Sequence, residues 1–163
     1  MTIIIMGVTG SGKTTVGTLL AQQLGWTFAD ADDFHTPANK EKMSKGIGLT
    51  DADRRPWLNA IHDACVRWQA AGINGIVACS ALKQSYRDLL QENVDVNFIY
   101  LRGSADLILE RLGHRKGHYA KESLVASQFE ALEEPEENEN THVVDIGGIP
   151  EEIVVEIRRQ LKL

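Results

Sequence analysis

The stretch GVTGSGKT, Gly7 to Thr14, follows directly on the apolar run Ile3-Ile4-Ile5-Met6. Its spacing is GxxxxGK[ST]. In that pattern a glycine-rich turn wraps backbone N–H groups around phosphates, a lysine reaches the β- and γ-phosphates, and a hydroxyl is offered to Mg²⁺. The reading demands a strand before the turn and a helix after it. The apolar run supplies the strand, and Val16, Leu19, Leu20 and Leu24 recur at helical spacing from Thr14 to Leu24. A nucleoside triphosphate is therefore the expected ligand, met by Gly7, Thr9, Gly10, Ser11, Gly12, Lys13, Thr14 and Thr15. Lys13 takes the catalytic charge, and Thr14 is the first expected Mg²⁺ ligand.

Outward from this loop, strand and helix signals alternate. Strands are expected over Trp26–Ala29, Gly75–Cys79, Val96–Leu101 and Thr141–Ile146. Helices are expected over Asn39–Ser44, Pro56–Ala71, Leu82–Glu92, Ala105–Leu112, Glu122–Leu132 and Pro150–Leu161, with Thr50 or Asp53 capping the second of these. Strands each followed by a helix imply an α/β fold with a five-stranded parallel sheet and right-handed crossovers. With 163 residues, 43% of them hydrophobic, the chain reads as a single domain, 1–163. Residues 35–72 read as an insert on the substrate side, and the basic, non-periodic stretch at about 113–122 as a lid. The acidic run EEPEENEN, 133–140, reads as a solvated loop.

Composition narrows the partners. Seventeen basic against 23 acidic side chains leave a net charge of −6, which argues against nucleic acid or an anionic membrane surface. Cys65 and Cys79 lack metal-ligand spacing and read as buried free thiols, fitting a reducing cytoplasm. No apolar run approaches the roughly 20 residues of a membrane span, and a first strand starting almost at Met1 leaves no room for a targeting leader.

A phosphate loop alone serves switches, motors and kinases. A guanine-nucleotide switch needs NKxD after a late strand, whereas Asn39-Lys40-Glu41-Lys42 lacks the Asp and comes early; Asp145-Ile146-Gly147-Gly148 fits DxxG only at the last strand. Three features favour a kinase. Arg111, Arg115, Lys116 and His118 crowd one short stretch, where cations on a movable element would serve the charge of a transferring phosphoryl group. Asp30 and Asp32, two apart at a strand end, divide naturally into a carboxylate holding Mg²⁺ and one meeting the acceptor hydroxyl. Arg54, beside Arg55 near a helix start, is locally unfavourable and suits an anionic acceptor.

The motifs together resemble the gluconokinases, small phosphate-loop enzymes that phosphorylate D-gluconate with ATP. The resemblance covers nearly the whole chain and rests on GVTGSGKTT, DADDFH with Asn39 and Lys42-Met43, LTDADRRPWL, CSALKQSYRDLL, FIYLRG, RKGHY and SQFEALEEP. It implies a P-loop NTPase fold similar to shikimate and nucleoside monophosphate kinases, with ATP, Mg²⁺ and a homodimer. It also implies that Asp32 meets the substrate hydroxyl, Asp30 supports Mg²⁺, Arg54 lies near the substrate carboxylate, and Arg111 and Arg115 face adenine and phosphates. His35, Ser80, Lys83, Arg87 and His118 complete the expected substrate side. Shikimate kinases carry glycines after the third strand; Cys79-Ser80-Ala81-Leu82-Lys83 here suits an open-chain polyol acid better than a flat ring. Shikimate, nucleoside monophosphate and close aldonate acceptors such as idonate stay as rivals, with an ATPase switch behind them.

Overall fold

The computed structural model describes residues 1–113 and 119–163, side chains 119–121 excepted. Among them, β1 (Thr2–Met6), β2 (Thr27–Asp30), β3 (Gly75–Ala78), β4 (Val96–Arg102) and β5 (Thr141–Asp145) form a parallel sheet in the order β2-β3-β1-β4-β5. β1 lies at the centre because it is apolar on both faces: Ile3, Ile4, Ile5 and Met6 have no exposed surface. Ile3 and Ile5 pack with Val16 and Leu20 of α1 (Lys13–Leu24) and with Ile153 and Ile157 of α7 (Pro150–Leu161). Ile4 and Met6 point the other way, onto Trp57, Leu58 and Ile61 of α3 (Asp51–Ala70) and Leu90 of α4 (Gln84–Leu90). Burying each such side chain contributes about 1.5–3 kcal/mol. Ile108 of α5 (Ala105–Arg111) and Val125 of α6 (Tyr119–Ala131) join the first layer.

This order creates the cleft. β1 runs into α1 on one face of the sheet, while its neighbour β3 leads to α4 on the other. The two loops part at the carboxyl ends of the strands, which is where open α/β sheets bind ligands. The register pairs Ile5 with Ala78, so Gly7 N–H comes to donate to Ser80 O at 3.3 Å across the mouth.

Several helices start elsewhere than expected: α2 (Pro37–Ser44) at Pro37 rather than Asn39, α6 at Tyr119 rather than Glu122, and α3 and α4 for visible reasons. α3 starts at Asp51 rather than Pro56, because Thr50 and Asp53 form a reciprocal capping box, Thr50 Oγ1 accepting from Asp53 N–H at 3.1 Å and Asp53 Oδ2 from Thr50 N–H at 3.0 Å. Pro56 is thereby carried inside the helix. α4 starts two residues late because Lys83 is extended, φ −95° and ψ 145°, and caps the helix from outside it. The stretch 35–72 forms α2 and α3, joined where Asn39 Nδ2 donates to Asp53 O at 2.8 Å and Lys42 Nζ to Asp53 Oδ2 at 2.9 Å.

Candidate active site

The phosphate loop delivers its backbone to the cleft. Gly12 caps α1 at φ 94°, a left-handed turn that costs other residues about 1–2 kcal/mol. The turn leaves the first N–H groups of α1, at the positive end of the helix dipole, facing a cavity of about 430 Å³. Thr9, Gly10, Gly12, Lys13, Thr14 and Thr15 line it, while Ser11 lies wholly buried behind, its Oγ without a partner among the described residues. Lys13 Nζ donates to Val8 O at 2.9 Å. Burial pulls its pKa below the ordinary lysine value, against the opposing pull of Cys79, Asp32 and Asp30.

The carboxylates hang from the end of β2. Asp30 Oδ2 accepts from the Thr14 hydroxyl at 2.9 Å, and its Oδ1 accepts from Asp32 N–H at 2.9 Å, capping the 3-10 turn Ala31–Phe34. Thr14 and Asp30 thus present hard oxygen donors side by side. This set fits Mg²⁺, which takes one or two protein oxygens and leaves its other positions to phosphate and water. Asp32 is exposed into the cleft. Behind it, Trp57 Nε1 donates to Ala31 O at 2.7 Å and ties α3 to the acidic turn.

A second cavity, about 380 Å³, adjoins the first, with Asp32, Trp57, Ser80 and Gln128 in the walls of both. Its far side carries cations: Arg54 Nη1 donates to Tyr86 Oη at 2.9 Å, and Lys83 Nζ to Asp51 Oδ1 at 3.0 Å. Tyr86 Oη donates in turn to Asp51, and both cations flank the Tyr86 ring, 5.8 and 5.5 Å from its centroid. The Asp51 hydrogen bond raises the Lys83 pKa, while the Tyr86 hydroxyl and then Lys83 lower that of Asp51, so the network holds its charges firmly. His35 stacks on Trp57, centroids 4.3 Å apart and planes 11° from parallel, with a buried Nδ1 that has no partner among the described residues. Burial lowers its pKa, favouring neutral imidazole.

Not every expected residue meets here. Arg87 is 2% exposed and turned away from both cavities: Nη1 donates to Ala81 O at 2.8 Å and Leu82 O at 3.1 Å, Nη2 to Gln84 Oε1 at 3.0 Å and Glu133 O at 2.7 Å. The left-handed turn at Ala81 leaves buried carbonyls that need donors, and this guanidinium supplies them. Arg111 donates to Ile146 O and Gly148 O beside a third cavity, about 320 Å³, formed by Gly10–Val16 and Gly148–Pro150. Arg115, Lys116 and His118, with most of the expected lid, lie outside the described residues. Asp51, Trp57, Tyr86 and Gln128 were given no role by sequence reasoning, although each sits in a stretch that carries the resemblance: LTDADRRPWL, CSALKQSYRDLL or SQFEALEEP.

Known proteins share this fold and much of this sequence. The family model described as shikimate kinase matches residues 9–162. A probable gluconokinase of Xenopus tropicalis is 44% identical, over 100% of this chain and 96% of the relative. The thermoresistant gluconokinase of Escherichia coli is 46% identical, over 93% of this chain and 87% of the relative. The crystal structure of a gluconokinase from Sinorhizobium meliloti superposes with a TM-score of 0.86 at 42% identity, covering 99% of this chain and 91% of that one. The shikimate kinase of Aquifex aeolicus, 17% identical with a TM-score of 0.61, shares the fold. On the strength of the full-length relatives and the matching motifs, the chain belongs to the gluconokinase family, within the kinases that the shikimate kinase model describes.

Proposed function

We propose that this protein transfers the γ-phosphate of ATP to the terminal hydroxyl of D-gluconate, giving 6-phospho-D-gluconate and ADP. The observation that carries the reading is the pair of adjoining cavities: a phosphate loop opens one, a cationic wall closes the other, and Asp32 stands where they meet. The near-full-length likeness to gluconokinases supports the acceptor.

In this reading the substrate carboxylate faces Arg54 and Lys83 and the polyol chain runs past His35 and Ser80 to Asp32. The Asp32 carboxylate orients the hydroxyl and takes its proton as the new O–P bond forms, while the bond to the β–γ bridging oxygen breaks and ADP leaves. Lys13 and the loop N–H groups stabilise the charge on the moving phosphoryl group. Thr14 and Asp30 would hold Mg²⁺, which when bound neutralises the phosphate oxygens. Arg111 lies toward the nucleoside end. Arg115 and His118 are assigned to phosphates and substrate by their place in the sequence.

The same reading takes the chain as one domain whose insert at 35–72 binds the acceptor, and as a cytoplasmic homodimer without nucleic-acid or membrane partners. The net charge of −6 and the buried free thiols support the compartment and the lack of nucleic-acid partners, the dimer rests on the likeness to gluconokinases alone, and no described helix is long and apolar enough to cross a membrane. Light scattering on the purified protein tests the dimer. The function is tested by ATP consumption with Mg²⁺ over gluconate, other aldonates, shikimate and nucleoside monophosphates. Gluconate is expected to accelerate turnover by orders of magnitude; a larger rate with shikimate or AMP overturns the reading.

A further inference from the structure

We propose that Gln128 is a catalytic residue whose side-chain amide donates to the phosphoryl group as it passes between the two cavities. The inference rests on the kinase reading above and adds a group to it. Four residues form the shared wall. Asp32 is a carboxylate that repels the moving group, and Trp57 has its one N–H committed to Ala31 O. Ser80 and Gln128 are the neutral donors of the wall. Ser80 meets the phosphate loop through its backbone carbonyl, and of the two only Gln128 has its side chain anchored on that loop.

Its Oε1 accepts from Thr9 N–H, in the phosphate loop itself, at 3.1 Å. A primary amide has one acceptor end and one donor end, so fixing the oxygen on a backbone N–H fixes which end is left over. That end is Nε2, which has no hydrogen-bond partner among the described residues. Val125, 1% exposed in the core, holds the register of α6 and so keeps Gln128, three residues on, at the cleft. The result is an oriented, uncharged donor in the wall that the phosphoryl group must cross. A phosphoryl group in transfer spreads negative charge over its peripheral oxygens, where a preoriented donor acts best. A neutral amide adds this attraction without competing with Asp32 for the hydroxyl proton.

The test compares Gln128→Leu with Gln128→Glu. Calorimetry with Mg²⁺ measures affinity for a non-hydrolysable ATP analogue and for ADP, and steady-state assays measure kcat with gluconate. Gln128→Leu is expected to lose roughly ten- to a hundredfold in kcat, the range for a hydrogen bond to a charged group, and to lose the triphosphate preferentially over ADP. Gln128→Glu keeps an acceptor for Thr9 but puts a negative charge in the wall, so it should lose at least as much. A mere tether on Thr9 would leave Gln128→Glu near wild type and weaken both nucleotides together in Gln128→Leu; that result overturns the proposal. An unchanged triphosphate preference in Gln128→Leu overturns it as well. Because nucleotide preference is read without any acceptor, a wild-type enzyme indifferent to gluconate would sink the functional reading while the preference still decides the role of Gln128.

Discussion

At the phosphate end of the cleft one short run, Thr9 to Thr15, supplies the turn and helix start that meet the phosphates, with Asp30, Asp32, Trp57, Ser80 and Gln128 closing the cavity around it. At the acceptor end the walls are side chains gathered from five separate places: the 3-10 turn, the α2–α3 segment, the β3–α4 loop, α4 and α6. The difference follows the ligands. Phosphates are alike in every nucleotide and are met by N–H groups that any loop of this shape provides, whereas an acceptor must be told from its analogues by individually placed donors and acceptors. The phosphate end therefore rests mainly on one local turn, and the acceptor end depends on the whole fold to bring its parts together.

The sharpest break lies where the two ends meet. Asp32→Asn keeps the size and polarity of the side chain but removes the charge that takes the hydroxyl proton, and kcat should fall by about 10²–10⁴-fold with little change in ATP affinity. Lys13→Ala, at the phosphate end, should cost at least about 10²–10³-fold in kcat for any acceptor offered, with an unchanged circular dichroism spectrum. Arg54→Ala tests the far end. It should raise the KM for gluconate roughly 10- to 150-fold, as for a charge-assisted hydrogen bond, and spare the KM for ATP; the reverse pattern would place the acceptor on the wrong side of the cleft.

How much of this was legible in the sequence follows the same division. The loop residues, the acidic pair after β2 and the parallel sheet could be read because each depends on local spacing: an apolar run, a glycine pattern, a strand end. Of the acceptor network, Arg54 and Lys83 could be read, but the connections between its members could not. Nothing in the local sequence says that Tyr86 and Asp51, 35 positions apart, share a hydrogen bond, or that Gln128 reaches Thr9 across 119 positions. Arg87 shows the limit most clearly. As a cation one turn into an amphipathic helix it reads as a surface or substrate residue, and its burial follows from the carbonyls turned inward by the left-handed Ala81, a torsion that an alanine does not advertise.

Arg87→Met gives a smaller effect of a different kind. Its loss strands buried carbonyls at about 1–3 kcal/mol apiece where water does not replace the donors. The urea midpoint should therefore fall, and Ala81→Gly, which relieves the torsion, should recover part of the loss. Smallest is the effect of His35. Burial holds its pKa below the ordinary 6.5, so the unfolded chain binds more protons than the folded one. Stability is then undiminished above that value and declines as pH falls from it toward the folded pKa. Subtracting the urea midpoints of His35→Phe from those of wild type between pH 7.5 and 5 should expose this slope, and a flat difference would remove the desolvated imidazole from the acceptor wall.

A glycine away from both cavities decides how freely the phosphate loop can be traded. A β-carbon at Gly17 would lie 2.7 Å from Phe28 Cε2 and 3.4 Å from Ile5 Cδ1, so the backbone of α1 rests almost directly on the β2 ring. That closeness sets the reach between Thr14, three residues before Gly17, and Asp30, two after Phe28. The loop is consequently not a portable cassette. Grafted onto another sheet with its eight residues intact, it would keep its hold on phosphate and lose its grip on the neighbouring carboxylate unless positions 17 and 28 travelled with it as a matched pair. A lineage enlarging one of them would first have to shrink the other.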